Sequence, residues 1–171
     1  MVCEVIDPYQ VTDITSSNHI GAGKTTLVEI LAGKSKSGRT TGHVTFPSSF
    51  NLHPRIGFVP QQDILPPTLT VSEALLFAAR LRLPESIPDD EKMARVEAVM
   101  SKLGIAALRD VRIGYSGDTG GGGRVRGISG GEMRRLSIGL ELIANPDVLI
   151  LDEPTSGWCQ VYLTSQTKEI C

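Results

Sequence analysis

The stretch Gly21–Thr26, which reads GAGKTT, limits the possible folds because it stands at the start of a predicted helix. Its glycines allow successive backbone N–H groups to point at one anion, and the helix adds the positive end of its dipole. The Lys24 ammonium can bridge the β- and γ-phosphates of a nucleotide, and the Thr25 hydroxyl can ligate Mg²⁺. We therefore predict a site for a nucleoside triphosphate, made by Gly21, Ala22, Gly23, Lys24, Thr25 and Thr26.

This stretch matches only the second half of the P-loop pattern GxxxxGK[ST], because Asn18 stands at the position of the leading glycine. Asparagine tolerates left-handed backbone better than most residues do, so the loop can still form. The alternative interpretation is an ordinary helix N-terminus that happens to contain these letters.

The run Val148–Leu151 is apolar throughout and is followed by Asp152 and Glu153. A continuous apolar run is typical of a central parallel strand that is covered on both faces. Such a strand delivers the two acids to the sheet edge at which open α/β folds bind their ligands. Asp152 is then a candidate Mg²⁺ ligand, and Glu153 a candidate for orienting or deprotonating an attacking water. The alternative interpretation is that Asp152 and Glu153 are two solvated acids at the end of a strand, and the glycine-rich loop makes this alternative less favoured.

Short apolar strands alternate with helices along the chain, which predicts an α/β fold. Capping boxes begin at Thr70 and Ser129, and Gly33 and Gly104 mark helix ends. The predicted helices are Lys24–Ala32, Thr70–Leu83, Asp89–Leu103 and Ser129–Ala144. The predicted extended segments are Val11–Ile14, His43–Phe46, Ile56–Val59 and Val148–Leu151.

Composition argues against several classes of protein. The formal net charge is −2, so the chain has no strong attraction to nucleic acid. No apolar run approaches the roughly 20 residues that cross a bilayer, and the first residues lack the pattern of a secretory signal. The three cysteines form no CxxC pair, which favours a reducing compartment. We expect the protein in the cytoplasm or at the cytoplasmic face of a membrane.

The stretch Ile128–Glu132 (ISGGE), followed by MRRLSIGLELIANPDVLILDEPTSG, resembles the signature region of ABC transporter ATPases. The sequence of this stretch most resembles that of the G subfamily, the white-type and drug-resistance half-transporters. GAGKTTLVEILAG, GFVPQQDIL and LTVSEALLFAARLRL extend the resemblance over residues 20–157. It implies a P-loop NTPase (ABC ATPase) core with a parallel sheet, a helical subdomain at about residues 70–127, and divergent segments at residues 1–19 and 158–171. The core is then expected to be incomplete at both ends.

The resemblance also implies roles for individual residues. Gln61 corresponds to the Q-loop glutamine, which touches Mg²⁺ or the attacking water. Ser129, Gly130 and Gly131 correspond to residues that close over ATP held by a second ABC ATPase domain. The implied cofactors are ATP and Mg²⁺. The implied partners are that second domain and the transmembrane domain of a transporter, which this chain lacks.

Two departures from the family leave alternatives open. Trp158 and Cys159 stand where the family continues with the Leu-Asp of its D-loop, and His19, His43 and His53 all precede Asp152. None of these histidines can therefore be the family's catalytic one. We expect either an ATPase domain of a lipid or drug exporter or a catalytically inactive fragment that acts as an inhibitory dimer partner. A soluble P-loop ATPase related to DNA-repair proteins is disfavoured by the stretch LTVSEALLFAARLRLP.

Overall fold

The computed structural model describes residues 3–7, 10–14, 24–34, 37–39, 41–42, 54–115 and 127–152. In chain order its strands and α-helices are β1 (Cys3–Asp7), β2 (Gln10–Ile14), α1 (Lys24–Leu31), β3 (Ile56–Val59), α2 (Val71–Arg82), α3 (Asp89–Lys102), α4 (Gly130–Leu142) and β4 (Val148–Leu151), and a 3-10 helix at Ala106–Leu108 follows α3. The chain forms two compact units. Unit 1 comprises Met1–Gln61 and Pro146–Cys171, and unit 2 comprises Gln62–Asn145.

The sheet of unit 1 has the strand order β2-β1-β4-β3. The strands β3 and β4 run parallel, with Val59 opposite Leu151. β4 is an interior strand and all four of its residues are buried, as its apolar run predicted. Its other neighbour, β1, runs antiparallel to it, so the described sheet is mixed rather than purely parallel.

The sequence predicted only the second strand of the N-terminal hairpin, at Val11–Ile14. The structure extends this strand to Gln10–Ile14 and pairs it with β1, which the prediction missed. The letters of β1 (CEVID) form neither an alternating pattern nor a continuous apolar run, so they carry no strand signal of their own. The segment predicted at His43–Phe46 lies outside the described residues.

Helix α1 packs against this sheet through one apolar face. Val28 is buried and lies in a cluster with Val148 and Ile150 of β4, against which Leu31, Ala32, Ile56 and Phe58 also pack. Gly33 has a φ of 75°, and the Lys34 N–H donates to the Glu29 carbonyl at 2.9 Å. This left-handed turn satisfies the final carbonyls and ends α1 at the predicted glycine.

Unit 2 is built around the helices α2, α3 and α4, and α2 contacts both of the others. Both predicted capping boxes are present, at Thr70 and at Ser129. Because α4 belongs to unit 2, this unit reaches Asn145, whereas the sequence placed the end of the helical subdomain near residue 127. Its fully buried side chains include Leu75, Val96, Met100, Ile105, Ile113, Leu136 and Ile143.

Gly139 marks a close approach of the three helices. A Cβ at this position would lie 3.0 Å from Leu103 Cδ1, 3.2 Å from Leu75 Cδ2 and 3.4 Å from Val99 Cγ1. The absence of a side chain therefore lets α4 approach side chains of α2 and of the α3 end. Gly104, with a φ of 64°, terminates α3 as predicted.

A ladder of backbone hydrogen bonds joins three loop segments of unit 2. The Ile113 N–H donates to the Leu69 carbonyl at 2.9 Å, and the Ile113 carbonyl accepts the Ile128 N–H at 3.0 Å. Gly127 lies so close to Ile113 that a Cβ would be 2.1 Å from the Ile113 oxygen. The ladder thus holds the residue before Ser129 against the middle of unit 2.

Candidate nucleotide site

The carboxyl ends of β3 and β4 meet at one edge of the sheet in unit 1. The Asp152 N–H donates to the Val59 carbonyl at 3.0 Å, which continues the parallel pairing for one residue beyond β4. Asp152 itself is 1% exposed, although it carries a carboxylate. Gln61 follows β3 by two residues and is exposed. The parallel register therefore brings two of the three predicted metal-binding residues to the same sheet edge.

The third predicted metal ligand, Thr25, lies in the first turn of α1 and is exposed, as is Thr26. Lys24 begins this helix, and the first turn carries no acidic residue. The positive end of the helix dipole is therefore not offset by a carboxylate from α1 itself. Gly21, Ala22, Gly23 and Glu153 lie outside the described residues, as does the side chain of Lys24.

The donor set of Thr25, Gln61 and Asp152 comprises a hydroxyl, an amide and a carboxylate. These hard oxygen donors fit Mg²⁺, which usually combines one or two carboxylates with waters and substrate phosphates. Within residues 24–34, 54–115 and 127–152, no group of three His, Cys, Asp or Glu side chains could hold a metal ion by itself.

The ISGGE stretch forms the N-terminus of α4. The Ser129 Oγ accepts the Glu132 N–H at 3.3 Å, and the Glu132 carboxylate accepts the Ser129 N–H at 2.7 Å. The latter bond lowers the pKa of the Glu132 carboxyl, because it favours the charged form. Since the Ser129 Oγ acts as an acceptor in the cap, its own hydroxyl proton is left to donate elsewhere.

Gly130, the first residue of α4, has no spatial reason within unit 2 to be glycine. It is exposed, and a Cβ built on it would meet no atom within 4 Å. Its φ is also outside the left-handed region. Glycine weakens a helix relative to alanine, and no contact within unit 2 accounts for glycine at this position.

No sequence pattern indicated a role for Asp63 or Arg134, which form an ion pair inside unit 2. The Arg134 Nη1 lies 3.1 Å from the Asp63 Oδ1. The two residues are 71 positions apart, so no local pattern could have paired them. The only indication in the sequence was that the two residues stand close to the predicted site residues Gln61 and Ser129.

The sequence profile of the ABC transporter family matches residues 8–156. The chain belongs to this family. Its match begins before the P-loop motif and ends after Glu153, so it covers both ends of the proposed site. Membership implies an ATP-binding domain, and such domains typically bind ATP together with Mg²⁺.

Several relatives of the chain are named as members of the ABC transporter G family. The chain is 49% identical to ABC transporter G family member 22 of Arabidopsis thaliana, over 80% of the chain and 18% of that protein. It is 46% identical to member 26 of the same plant, over 86% of the chain and 20% of that protein. A Dictyostelium discoideum protein, also named member 22, is 44% identical over 80% of the chain and 22% of its own length. The chain thus spans about a fifth of the length of these relatives.

A solved structure supports the fold. An ABC transporter in an inward-facing conformation, described as metal-chelate type, superposes with a TM-score of 0.58. The superposition covers 99% of this chain and 66% of the other, at 19% sequence identity. The predicted α/β P-loop NTPase core is therefore confirmed at the level of the fold. No helix among the described residues is long and apolar enough to cross a membrane.

Proposed function

We propose that this chain is the ATP-hydrolysing part of a G-type ABC transporter that exports lipid or drug-like molecules. The observation that carries this proposal is the edge of the sheet where β3 and β4 end. There, Val59 at the end of β3 pairs with Leu151 at the end of β4, so Gln61 and the buried Asp152 both follow strands that end at the same edge. The glycine-rich loop before α1 adds the anion-binding half of the site.

Each residue of the site has a distinct role in the proposal. The amides of Gly21, Ala22 and Gly23, the Lys24 ammonium and Thr26 bind the phosphates. Thr25 and Asp152 would hold Mg²⁺, together with Gln61. The metal, when bound, neutralises charge on the phosphates. Glu153 orients or deprotonates the attacking water, and its position directly after Asp152 is the reason for this choice.

Ser129 and the glycines that follow would act on a nucleotide held by a second ABC ATPase domain. The Ser129 hydroxyl proton and the first N–H groups of α4 are available at an exposed helix N-terminus. The open space at Gly130 allows a phosphate to approach the backbone. A transmembrane domain would complete the transporter, which would place this domain at the cytoplasmic face of a membrane.

Two substitutions test the proposed chemistry. Glu153→Gln should abolish turnover of MgATP and leave binding intact, because the variant loses only the group that handles water. Lys24→Ala should weaken binding itself, since it removes a phosphate contact. Isothermal titration calorimetry and phosphate release measure the two properties separately. Unchanged turnover in Glu153→Gln would refute the role of Glu153.

A second candidate function is a nucleotide-binding partner without catalytic activity. The residues Trp158 and Cys159 favour it, because they occupy the positions at which the family has its D-loop. In this case the purified chain binds MgATP without releasing phosphate, and it lowers the turnover of an intact relative when the two are mixed. Multiple turnovers by the purified chain alone would exclude this alternative.

A further inference from the structure

The ion pair of Asp63 and Arg134 in unit 2 joins a buried arginine to a partly buried aspartate. The side chain of Arg134 is 8% exposed, and that of Asp63 is 17% exposed. The desolvation of two charges can cost more free energy than their mutual attraction supplies. Replacing such a pair by apolar residues of similar volume is therefore often neutral or stabilising. The pair therefore needs an explanation other than stability alone.

The two partners stand close in the chain to two residues of the proposed site. Asp63 follows Gln61 by two residues, and Arg134 lies on α4, five residues after Ser129. The chain passes from unit 1 to unit 2 between Gln61 and Gln62. The Arg134 guanidinium thus binds Asp63, which is the second residue of unit 2 and lies two residues after Gln61.

A second connection runs between the same two regions through backbone atoms. The carbonyl of Leu69 accepts the Ile113 N–H, and the carbonyl of Ile113 accepts the Ile128 N–H. Ile113 is fully buried, so these bonds are shielded from competing water. Backbone hydrogen bonds therefore join the segment after Gln61 to Ile128, and the ion pair joins the same segment to Arg134 on α4.

We propose that Asp63 and Arg134 are positioning residues, which fix α4 and its N-cap Ser129 relative to the segment that follows Gln61. The proposal deepens, and in its kinetic part rests on, the ATPase function proposed above. Neither side chain is assigned a contact with nucleotide. Loosening the pair should displace Ser129 and leave the phosphate-binding loop before α1 unchanged. It should therefore alter turnover more than affinity.

Hydrogen exchange of the full chain without nucleotide tests the connection itself. In Asp63→Asn, amides of residues 62–69 and of residues 128–134 should both exchange faster, by at least about fivefold, while α3 keeps its protection. The matched control is Arg80→Gln, which breaks the exposed pair of Arg80 with Asp89 between α2 and α3. The control should leave both segments unchanged.

Exchange that rises only beside residue 63 would overturn the proposal, and so would an equal rise throughout unit 2. If Asp63→Asn does not fold, Arg134→Lys replaces it, because lysine keeps the charge and loses the planar fork of donors. The same two segments should then respond together with a smaller amplitude. A response of only one segment in the folded variant would again contradict the proposal.

Steady-state hydrolysis of MgATP tests the consequence for the site. Mutations along a coupled network change coupling by roughly 2- to 30-fold, so kcat of Asp63→Asn should fall within this range while KM stays within about twofold. Asp63→Glu should recover most of kcat, because it retains the charge. A kcat equal to wild type in Asp63→Asn, or a rise in KM alone, would refute the positioning role. A wild-type chain without turnover would refute the ATPase proposal instead, and the exchange experiment would still decide whether the two segments are joined.

Discussion

Replacing Gly127 by alanine should destabilise unit 2 strongly, because the chain leaves no space for a side chain there. The added Cβ would lie 2.1 Å from the Ile113 carbonyl oxygen and 2.7 Å from the Gly114 Cα. Both atoms belong to the backbone, so no flexible side chain can move aside. Ordinary contacts of a Cβ atom are 3.4–4 Å long, so the segment would have to shift by more than about 1 Å.

This shift would break the hydrogen bond from the Ile128 N–H to the Ile113 carbonyl, which measures 3.0 Å. Ile113 is 0% and Ile128 is 7% exposed, so water cannot easily replace the lost bond. An unsatisfied buried polar group costs about 1–3 kcal/mol, and overpacking adds about 1–3 kcal/mol. We expect Gly127→Ala to lower the free energy of unfolding by about 2–6 kcal/mol.

Urea denaturation followed by circular dichroism measures this loss, and Gly130→Ala is the matched control. At Gly130 a Cβ meets nothing within 4 Å, so alanine should be neutral or stabilise α4 by up to about 1 kcal/mol. If Gly127→Ala loses less than about 0.5 kcal/mol, the close approach to Ile113 does not exist in solution. A loss above about 1 kcal/mol in Gly130→Ala would show that the fold itself needs this glycine.

The control also bears on the proposed function. If Gly130 is glycine so that a nucleotide of a second domain can approach, Gly130→Ala should lower MgATP turnover by at least about tenfold. This loss should occur in a protein that is as stable as wild type. A stable Gly130→Ala variant with full turnover would argue against contact between this helix N-terminus and a nucleotide.

Three further predictions concern stability. Leu75→Ala removes a fully buried side chain and should cost about 2–5 kcal/mol in urea denaturation; a loss below about 1 kcal/mol would contradict its burial. Arg82→Ala breaks two 2.7 Å bonds to the Glu141 carboxylate and should cost about 1 kcal/mol, with an equal loss expected for Glu141→Ala if the pair is the cause. The pKa of Glu132 is lowered in the folded state by the Ser129 N–H, so its contribution to stability is complete above the unfolded pKa of about 4.3 and is lost as the pH falls through the lower folded pKa. Glu132→Gln should therefore flatten the dependence of the urea midpoint on pH between about 5 and 3; an unchanged slope would show that the capping bond does not form.

The sequence alone was sufficient for the features that depend on neighbouring residues. The capping boxes at Thr70 and Ser129 fixed where α2 and α4 begin, because the bonds of a cap close within three residues. The glycines at 33 and 104 ended two helices for an equally local reason. The apolar run Val148–Leu151 predicted a covered strand, since complete burial needs only that its own side chains be apolar.

Only the tertiary structure decided which distant segments meet. The antiparallel pairing of β1 with β4 joins Glu4 to Leu151, and nothing in the letters of β1 specifies this neighbour. The burial of Arg134 beside Asp63 likewise depends on packing across 71 positions. Sequence patterns report the periodicity and caps of one segment, whereas pairing depends on the surface that distant segments bury together. For this reason the sequence motifs predicted the candidate site, whereas the fold alone revealed the ion pair of Asp63 and Arg134.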